Sequence, residues 1–282
     1  MTDKDIEILK DLSETHNITK TAERLYTTQS ALTKRVQSIE QELGCQLFIR
    51  SKKGLVLTPV NEAILPYVKK IQSNLETIRN LAGNPEGELS GTLKVGVAVN
   101  YARHKLAEIL EQYIEKYPKV DIQLSAKRSP DLYKELISGE INAAIIRGDY
   151  PWAEGDVVLF EENVCLAMNE KMKDQDLNEI PFLNRTSDVS FEADLSKWMN
   201  ENKIRRHTGL QINDVETIMQ MIERNIGWSI LPAICLSELN GITKPLLFRS
   251  GEPFLRKTHL LYRPEYIKLP QVQAFIDTVK TF

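Results

Sequence analysis

Five side chains on one short stretch carry the donors that reading a nucleic acid requires. Gln29, Ser30, Thr33, Lys34 and Arg35 combine an amide, two hydroxyls and two cations near the start of a helix. These are the types that contact base edges and phosphates from a groove. On the other side Ala31, Leu32, Val36, Ile39 and Leu43 recur with the helical period. Two helices must position the donors. One runs from about Lys20 to Tyr26, with Ala22 and Leu25 apolar, and the second from about Gln29 to Leu43. They join at Thr27-Thr28, whose hydroxyls can cap the second helix. Spacing alone serves a plain helical hairpin with a solvated polar face equally well.

The longer stretch Asn17 to Arg50 separates the two readings. It resembles the N-terminal winged helix-turn-helix of LysR-type transcriptional regulators, whose pattern is close to S-F-T-x-A-A-x-x-L-x-x-S-Q-x-A-L-S-x-x-I-x-x-L-E-x-x-L-G-x-x-L-F-x-R. Thr19, Ala22, Leu25, Gln29, Ala31, Leu32, Val36, Ile39, Glu40, Leu43, Gly44, Leu47, Phe48 and Arg50 carry the match. The departures, Ile18, Thr21, Thr28 and Thr33, remove no polar contact group. The resemblance implies that Thr28, Gln29, Ser30, Thr33, Lys34, Arg35 and Arg50 face double-stranded DNA. It also makes Leu47-Phe48-Ile49 and Leu55-Val56-Leu57 the strands of a wing. Lys52 and Lys53 at the wing tip then reach a phosphate or the minor groove, where a bare hairpin would leave them solvated.

Composition sets the limits. The 282 residues are 42% apolar and 27% charged, with a net charge of −3. That suits a soluble chain of two or three domains, and it rules out a uniformly basic DNA-binding protein. Positive charge is local. Between Thr27 and Thr58, Lys34, Arg35, Arg50, Lys52 and Lys53 oppose Glu40 and Glu42. DNA affinity should therefore rest on a small patch, doubled in a dimer, and fall with salt. Cys45, Cys165 and Cys235 have no zinc spacing, and no metal or cofactor motif occurs. The charged N-terminus and the absence of a long apolar run predict a cytoplasmic protein with no membrane partner.

After Asp3–Glu14, with Ile6, Leu9 and Leu12 on one face, Gly44 caps the reading helix and Thr58-Pro59 starts a long one. Ile64, Val68, Ile71, Leu75 and Ile78 hold a seven-residue repeat along it, through about 35 Å at 1.5 Å per residue. A seam of this kind predicts a dimer contact, and Pro66 inside it predicts a kink. The resemblance makes this the linker helix of the family. Residues 83–91 then form a Gly- and Pro-rich hinge. From Thr92, strands alternate with helices, which predicts a parallel sheet. The resemblance implies an α/β fold overall: a winged helix-turn-helix (1–58), a linker helix (59–82) and a two-lobed, periplasmic-binding-protein-like effector domain (92–282). Lobe I would hold 92–161 and 265–282, and lobe II 162–264. Asn225-Ile226-Gly227-Trp228-Ser229-Ile230-Leu231-Pro232 resembles the family's G-L-G-I-A-L-L-P, with Asn225 in place of the first glycine.

Ligands of open sheets bind beyond the strand ends. That names Asn100, Tyr101, Arg128, Ser129 and Arg147 from one lobe and Asn184, Arg185, Thr186 and Asn213 from the other. Three arginines and two helix N-termini, near Tyr101–Lys105 and Asn213–Thr217, lean the cleft toward a small anionic effector. The expected partners are DNA, that effector, RNA polymerase and further copies of the chain, as a homodimer and a homotetramer. A solute receptor would have no use for residues 1–82. An enzyme is disfavoured by four dispersed histidines and no nucleophile, P-loop or metalloprotease motif. A redox switch at Cys165 and Cys235 lacks cationic surroundings in the sequence.

Overall fold

The computed structural model describes residues 1–51, 54–82, 89–205 and 210–282, with backbone alone at 50, 76, 77 and 79–82. The chain divides into two compact units, Met1–Gly91 with Glu135–Ile141, and Thr92–Lys134 with Asn142–Phe282.

In the first unit three short-range caps set the helices. Asn17 Oδ1 accepts from the Lys20 N–H at 3.1 Å, starting α2 (Ile18–Arg24) behind α1 (Asp3–Thr15). The Thr28 hydroxyl accepts from the Ala31 N–H at 3.2 Å, starting α3 (Gln29–Leu43). Gly44, at φ 68°, ends α3 in the left-handed conformation that glycine adopts without strain. Ile6, Leu9 and Leu12 of α1 pack with Val36, Ile39, Leu47 and Phe48, each buried side chain contributing on the order of 2 kcal/mol. The proposed apolar stripe is narrower than its period indicates, because Ala31 and Leu43 are exposed.

The wing pairs β1 (Phe48–Ser51) with β2 (Gly54–Leu57) antiparallel, Phe48 opposite Leu57. Next to its turn it is tied to the end of α1, where the Leu55 N–H donates to the His16 carbonyl at 2.9 Å. A Cβ at Gly54 would lie 2.7 Å from that same carbonyl oxygen, so glycine is required there. Lys52 and Lys53 lie outside the described residues. The Thr58 hydroxyl accepts from the Asn61 N–H at 3.2 Å, and α4 runs from Pro59 to Ala82 with Pro66 inside it. Its heptad stripe divides. Val68 is buried in the unit's own core with Ile64 packed against that core, whereas Ile71 and Ile78 are 43% and 61% exposed. Val68 is therefore an intrachain core position, a correction to the seam read from the sequence, and Ile64 beside it is half-buried.

The second unit is a seven-stranded sheet in the order β4-β3-β5-β9-β6-β7, with β8 also on β6. Its strands are β3 (Gly91–Ala98), β4 (Val120–Lys127), β5 (Ala143–Arg147), β6 (Asp156–Met168), β7 (Ser229–Pro232), β8 (Ile242–Pro245) and β9 (Leu255–Tyr262). Between β3 and β4 lie α5 (Val99–Tyr101), a π-helical turn (Ala102–Leu106) and α6 (Ala107–Lys116). The later helices are α7 (Ser129–Ser138), α8 (Val189–Glu201), α9 (Val215–Glu223) and α10 (Pro270–Val279).

The sheet is mixed, where simple alternation suggested parallel. β3 and β5 are parallel, but β9 is antiparallel to both β5 and β6, and β7 and β8 are antiparallel to β6. The reason is β6. It is one 13-residue strand whose first part pairs with β9 and whose second part runs between β7 and β8. Only its second part, Val164–Met168, is read as a strand from sequence, although Val157-Val158-Leu159-Phe160 in the first part is apolar too. β6 carries the chain into the second lobe and β9 carries it back. α10 then returns to the first lobe, where Phe275 meets Tyr113 edge-on at 5.6 Å and the Tyr113 hydroxyl donates to the Gln271 carbonyl at 2.7 Å. Asn225 has φ 62°, which accounts for its standing where the family pattern has glycine. Among the described residues no helix is long and apolar enough to cross a membrane.

Candidate DNA-reading surface and effector cleft

The two sites belong to different units and are built differently. On α3, Thr28, Gln29, Ser30 and Lys34 are exposed, and Thr33 is half-buried. The Thr28 and Ser30 hydroxyls lie 3.2 Å apart at the helix start. Tyr26, which no pattern singled out, stands beside them 99% exposed at φ 49°.

Arg35 departs from the expectation. Its Nε and Nη2 donate to the two Asp5 oxygens at 2.5 and 2.7 Å, and the Asp5 side chain is fully buried. Burial pushes the Asp5 carboxyl up. The bonds from Arg35, with those from the Thr2 N–H and hydroxyl, outweigh it and hold the group below its ordinary value. Arg35 thus clamps α3 to α1, and its charge is matched inside the protein. The Arg50 side chain and all of Lys52 and Lys53 lie outside what the structure describes.

In the second unit a cleft of about 130 Å³ lies between the lobes. Asn100, Arg128, Ser129, Arg147, Asn184, Arg185, Thr186 and Asn213 all line it, as read from the sequence. Tyr101 does not. It is 3% exposed and stacks on Phe160 at 5.9 Å, and burial pushes its hydroxyl up to about 12. Lys127, Asp188, Asp214, Ser229 and Arg256, which sequence reasoning missed, also line it.

The arginines fall into two classes. Arg147 is 4% exposed and forms an ion pair with Glu162, whose other oxygen accepts from the Ile234 N–H at 2.5 Å. Burial pushes the Glu162 carboxyl up against the pull of Arg147 and of that N–H. Arg256 forms an ion pair with Asp188, lies over the Phe191 ring at 5.1 Å and donates to the Arg147 carbonyl at 2.9 Å. Burial pushes the Asp188 carboxyl up, but the Arg256 hydrogen bonds and charge, with the Phe191 N–H, hold it below its ordinary value. Gly148, at φ 97°, makes room for this pair: a Cβ there would meet Arg256 Nη1 at 2.9 Å and Asp188 Oδ1 at 3.0 Å. These two pairs neutralise Arg147 and Arg256, which corrects the reading of Arg147 as a cation available to a ligand.

Arg128 and Arg185 differ. Neither has a carboxylate within ion-pair distance among the described residues. Burial, then the charges of Arg147, Arg256 and Arg128, push the Arg185 guanidinium down, with Cys235 opposing. The start of α9 is also already occupied. Asp214 accepts from the Thr217 N–H at 2.9 Å, so it offers no vacant anion site. Asp214 and Glu216 face Arg103 from across the cleft mouth at 3.9 and 2.9 Å. The Gln211 amide donates to the Thr186 hydroxyl at 2.9 Å, and the buried Asn184 Oδ1 has no donor among the described residues.

Cys165 and Cys235 are buried, unpaired thiols that burial pushes up, which disfavours the reactive thiolate. Trp228 is wholly buried and donates to the Leu177 and Ile180 carbonyls, so it serves the core. No group of three His, Cys, Asp or Glu among the described residues could hold a metal.

Comparison with known proteins agrees with both halves. Residues 86–282 match the family model "LysR substrate binding domain", and residues 4–61 match "Bacterial regulatory helix-turn-helix protein, lysR family". The uncharacterized HTH-type transcriptional regulator YkuM of Bacillus subtilis (strain 168) is 34% identical, over 98% of this chain and 96% of that protein. Among solved structures, a full-length OxyR variant from Pseudomonas aeruginosa superposes with a TM-score of 0.72 at 22% identity, covering 99% of this chain and 95% of that one. Full-length CbnR complexed with its target DNA gives 0.68 at 18% identity, covering 100% and 99%. Helix-turn-helix, long helix and two-lobed domain are therefore shared along the whole chain, and the protein belongs to the LysR family: a DNA-binding transcriptional regulator with an effector-binding domain, not an enzyme.

Proposed function

We propose that the protein regulates transcription in the cytoplasm in response to a small anionic effector bound between its two lobes. The observation that carries this is the pair of guanidinium groups, Arg128 and Arg185, that line the cleft without a carboxylate among the described residues. Arg185 is half-buried with no described carboxylate to balance it, a costly arrangement that an entering anion relieves, and the exposed Arg128 adds attraction at the same cleft. Ligand binding then favours one lobe arrangement over another, to the extent that it binds one more tightly. DNA is read by Thr28, Gln29, Ser30, Thr33 and Lys34, with Arg50, Lys52 and Lys53 at the wing. The outer half of the α4 stripe, with Ile71 and Ile78 exposed and Leu75 half-buried, pairs two chains, and effector domains join two dimers into a tetramer. Changed DNA geometry alters RNA polymerase recruitment. CbnR, which shares the fold, has been captured on its target DNA.

The test is a footprint of the purified protein on the DNA upstream of its own gene. Protection of two half-sites about one or two helical turns apart, weakening as salt rises, is expected. Absence of binding at low salt, with or without anions, would contradict the reading.

A further inference from the structure

The charge balance of the cleft narrows the effector further, granting the anionic reading above. Four guanidinium groups line the cavity: Arg128, Arg147, Arg185 and Arg256. Glu162 matches Arg147, and Asp188 matches Arg256. Asp214 is committed to the start of α9 and to Arg103. Lys127 also lines the cleft and is engaged elsewhere, so two guanidinium groups remain without a described carboxylate, and they stand on different lobes. Arg128 follows β4 in the first lobe, and Arg185 precedes α8 in the second. A single carboxylate can neutralise one and leaves the other repelling its neighbours.

A third observation adds a donor. Asn184 Oδ1, adjacent in sequence to Arg185 and on the cleft wall, is buried and accepts no hydrogen bond from the described residues. Such an acceptor demands a partner, because its desolvation is otherwise uncompensated. The cavity of about 130 Å³ limits size. A void of roughly 150 Å³ holds a six-carbon ring, so the enclosed part of the ligand is of about that size.

We infer that the effector is a compact hydroxylated polycarboxylate: at least two carboxylates, one on Arg128 and one on Arg185, and a hydroxyl that donates to Asn184 Oδ1. Because the two arginines belong to different lobes, such a ligand ties the lobes together, which a monocarboxylate does not. Guanidinium groups suit this role, since each can bind a carboxylate through two parallel N–H bonds.

The experiment is calorimetric and thermal-shift titration of the full-length protein with butyrate, succinate, malate and citrate at constant ionic strength. These differ in charge and hydroxyl count. Succinate should bind on the order of tenfold or more tighter than butyrate, as one further charge-assisted contact implies. Malate or citrate should exceed succinate. Arg128→Gln and Arg185→Gln should each abolish the advantage of succinate over butyrate, and Asn184→Leu the advantage of malate over succinate. Arg185→Gln should leave the ligand-free protein as stable as wild type or more so, which separates lost binding from lost folding. Equal binding of butyrate and succinate would overturn the polycarboxylate while leaving an anion cleft. No response to any of the four, together with a destabilised Arg185→Gln, would overturn both.

Discussion

Arg35 and Arg185 make an instructive pair. Both were read from the sequence as ligand-facing cations, one for DNA and one for the effector. Arg35 meets Asp5, a buried acid 30 residues earlier, and becomes a clamp between two helices. Arg185 meets no acid among the described residues and keeps its charge for a visitor. Residue type is the same, and the partner decides the role. The same contrast recurs inside the cleft, where Arg147 and Arg256 are matched and Arg128 and Arg185 are not. A ligand-facing cation is thus recognised by which acids are already engaged, more than by where it stands in the chain.

The comparison can be broken by substitution. The largest effect is expected along α4, where one heptad stripe serves two ends. Val68→Asp places a charge in the first unit's core and should unfold that unit, losing 3 kcal/mol or more, about what an uncompensated buried charge costs. Ile71→Asp with Ile78→Asp, both at exposed positions, should instead leave folded monomers. Denaturant melts and mass in solution distinguish the outcomes, and loss of folding in the second variant would refute the division of the stripe.

Next is the matched pair in the cleft. Glu162→Gln leaves Arg147 buried without its partner and should cost about 3 kcal/mol in urea unfolding. Arg185→Met should cost nothing or stabilise slightly. If the two variants destabilise equally, the distinction between matched and unmatched arginines fails.

How much was legible follows from the range of each interaction. The bounds of α3, the Thr28 and Thr58 caps and the Gly44 stop were readable because each involves residues within about one helical turn. The cleft lining was largely readable because strand ends converge by topology. What escaped was long-range. Arg35–Asp5, Arg147–Glu162 and Arg256–Asp188 join residues 30, 15 and 68 apart, and no local pattern marks them. The antiparallel crossing of β6 and β9 escaped for a similar reason. The outer half of β6 mixes the half-exposed apolar run Val157-Val158-Leu159-Phe160 with Asp156, Glu161, Glu162 and Asn163, and it pairs with a strand about a hundred residues away. Ile64 and Val68 escaped because a heptad repeat does not say whose surface covers it.

Smaller effects sharpen the contrast at the DNA surface. Lys34→Ala should leave stability unchanged and reduce the slope of log affinity against log salt by about one, the signature of one phosphate contact. Arg35→Ala should lower the melting temperature of the first unit. An unchanged melting temperature with a reduced salt slope would return Arg35 to the DNA-contact class. Acid should report the same clamp. The folded-state value of Asp5 is depressed, so its contribution is fully present above the ordinary value of 3.8 and is lost as pH falls through the lower folded value. Asp5→Asn should flatten the acid limb of the stability profile, and an unaltered limb would show that the pair contributes nothing.

The most direct test of the account is operator binding followed by fluorescence anisotropy, with and without malate or citrate, for wild type and Arg185→Gln. The account predicts that these anions shift the wild-type binding curve, and that Arg185→Gln binds the same DNA but no longer responds to them. A variant that responds as the wild type does would contradict the claim that the unmatched arginine of the cleft is where the signal enters.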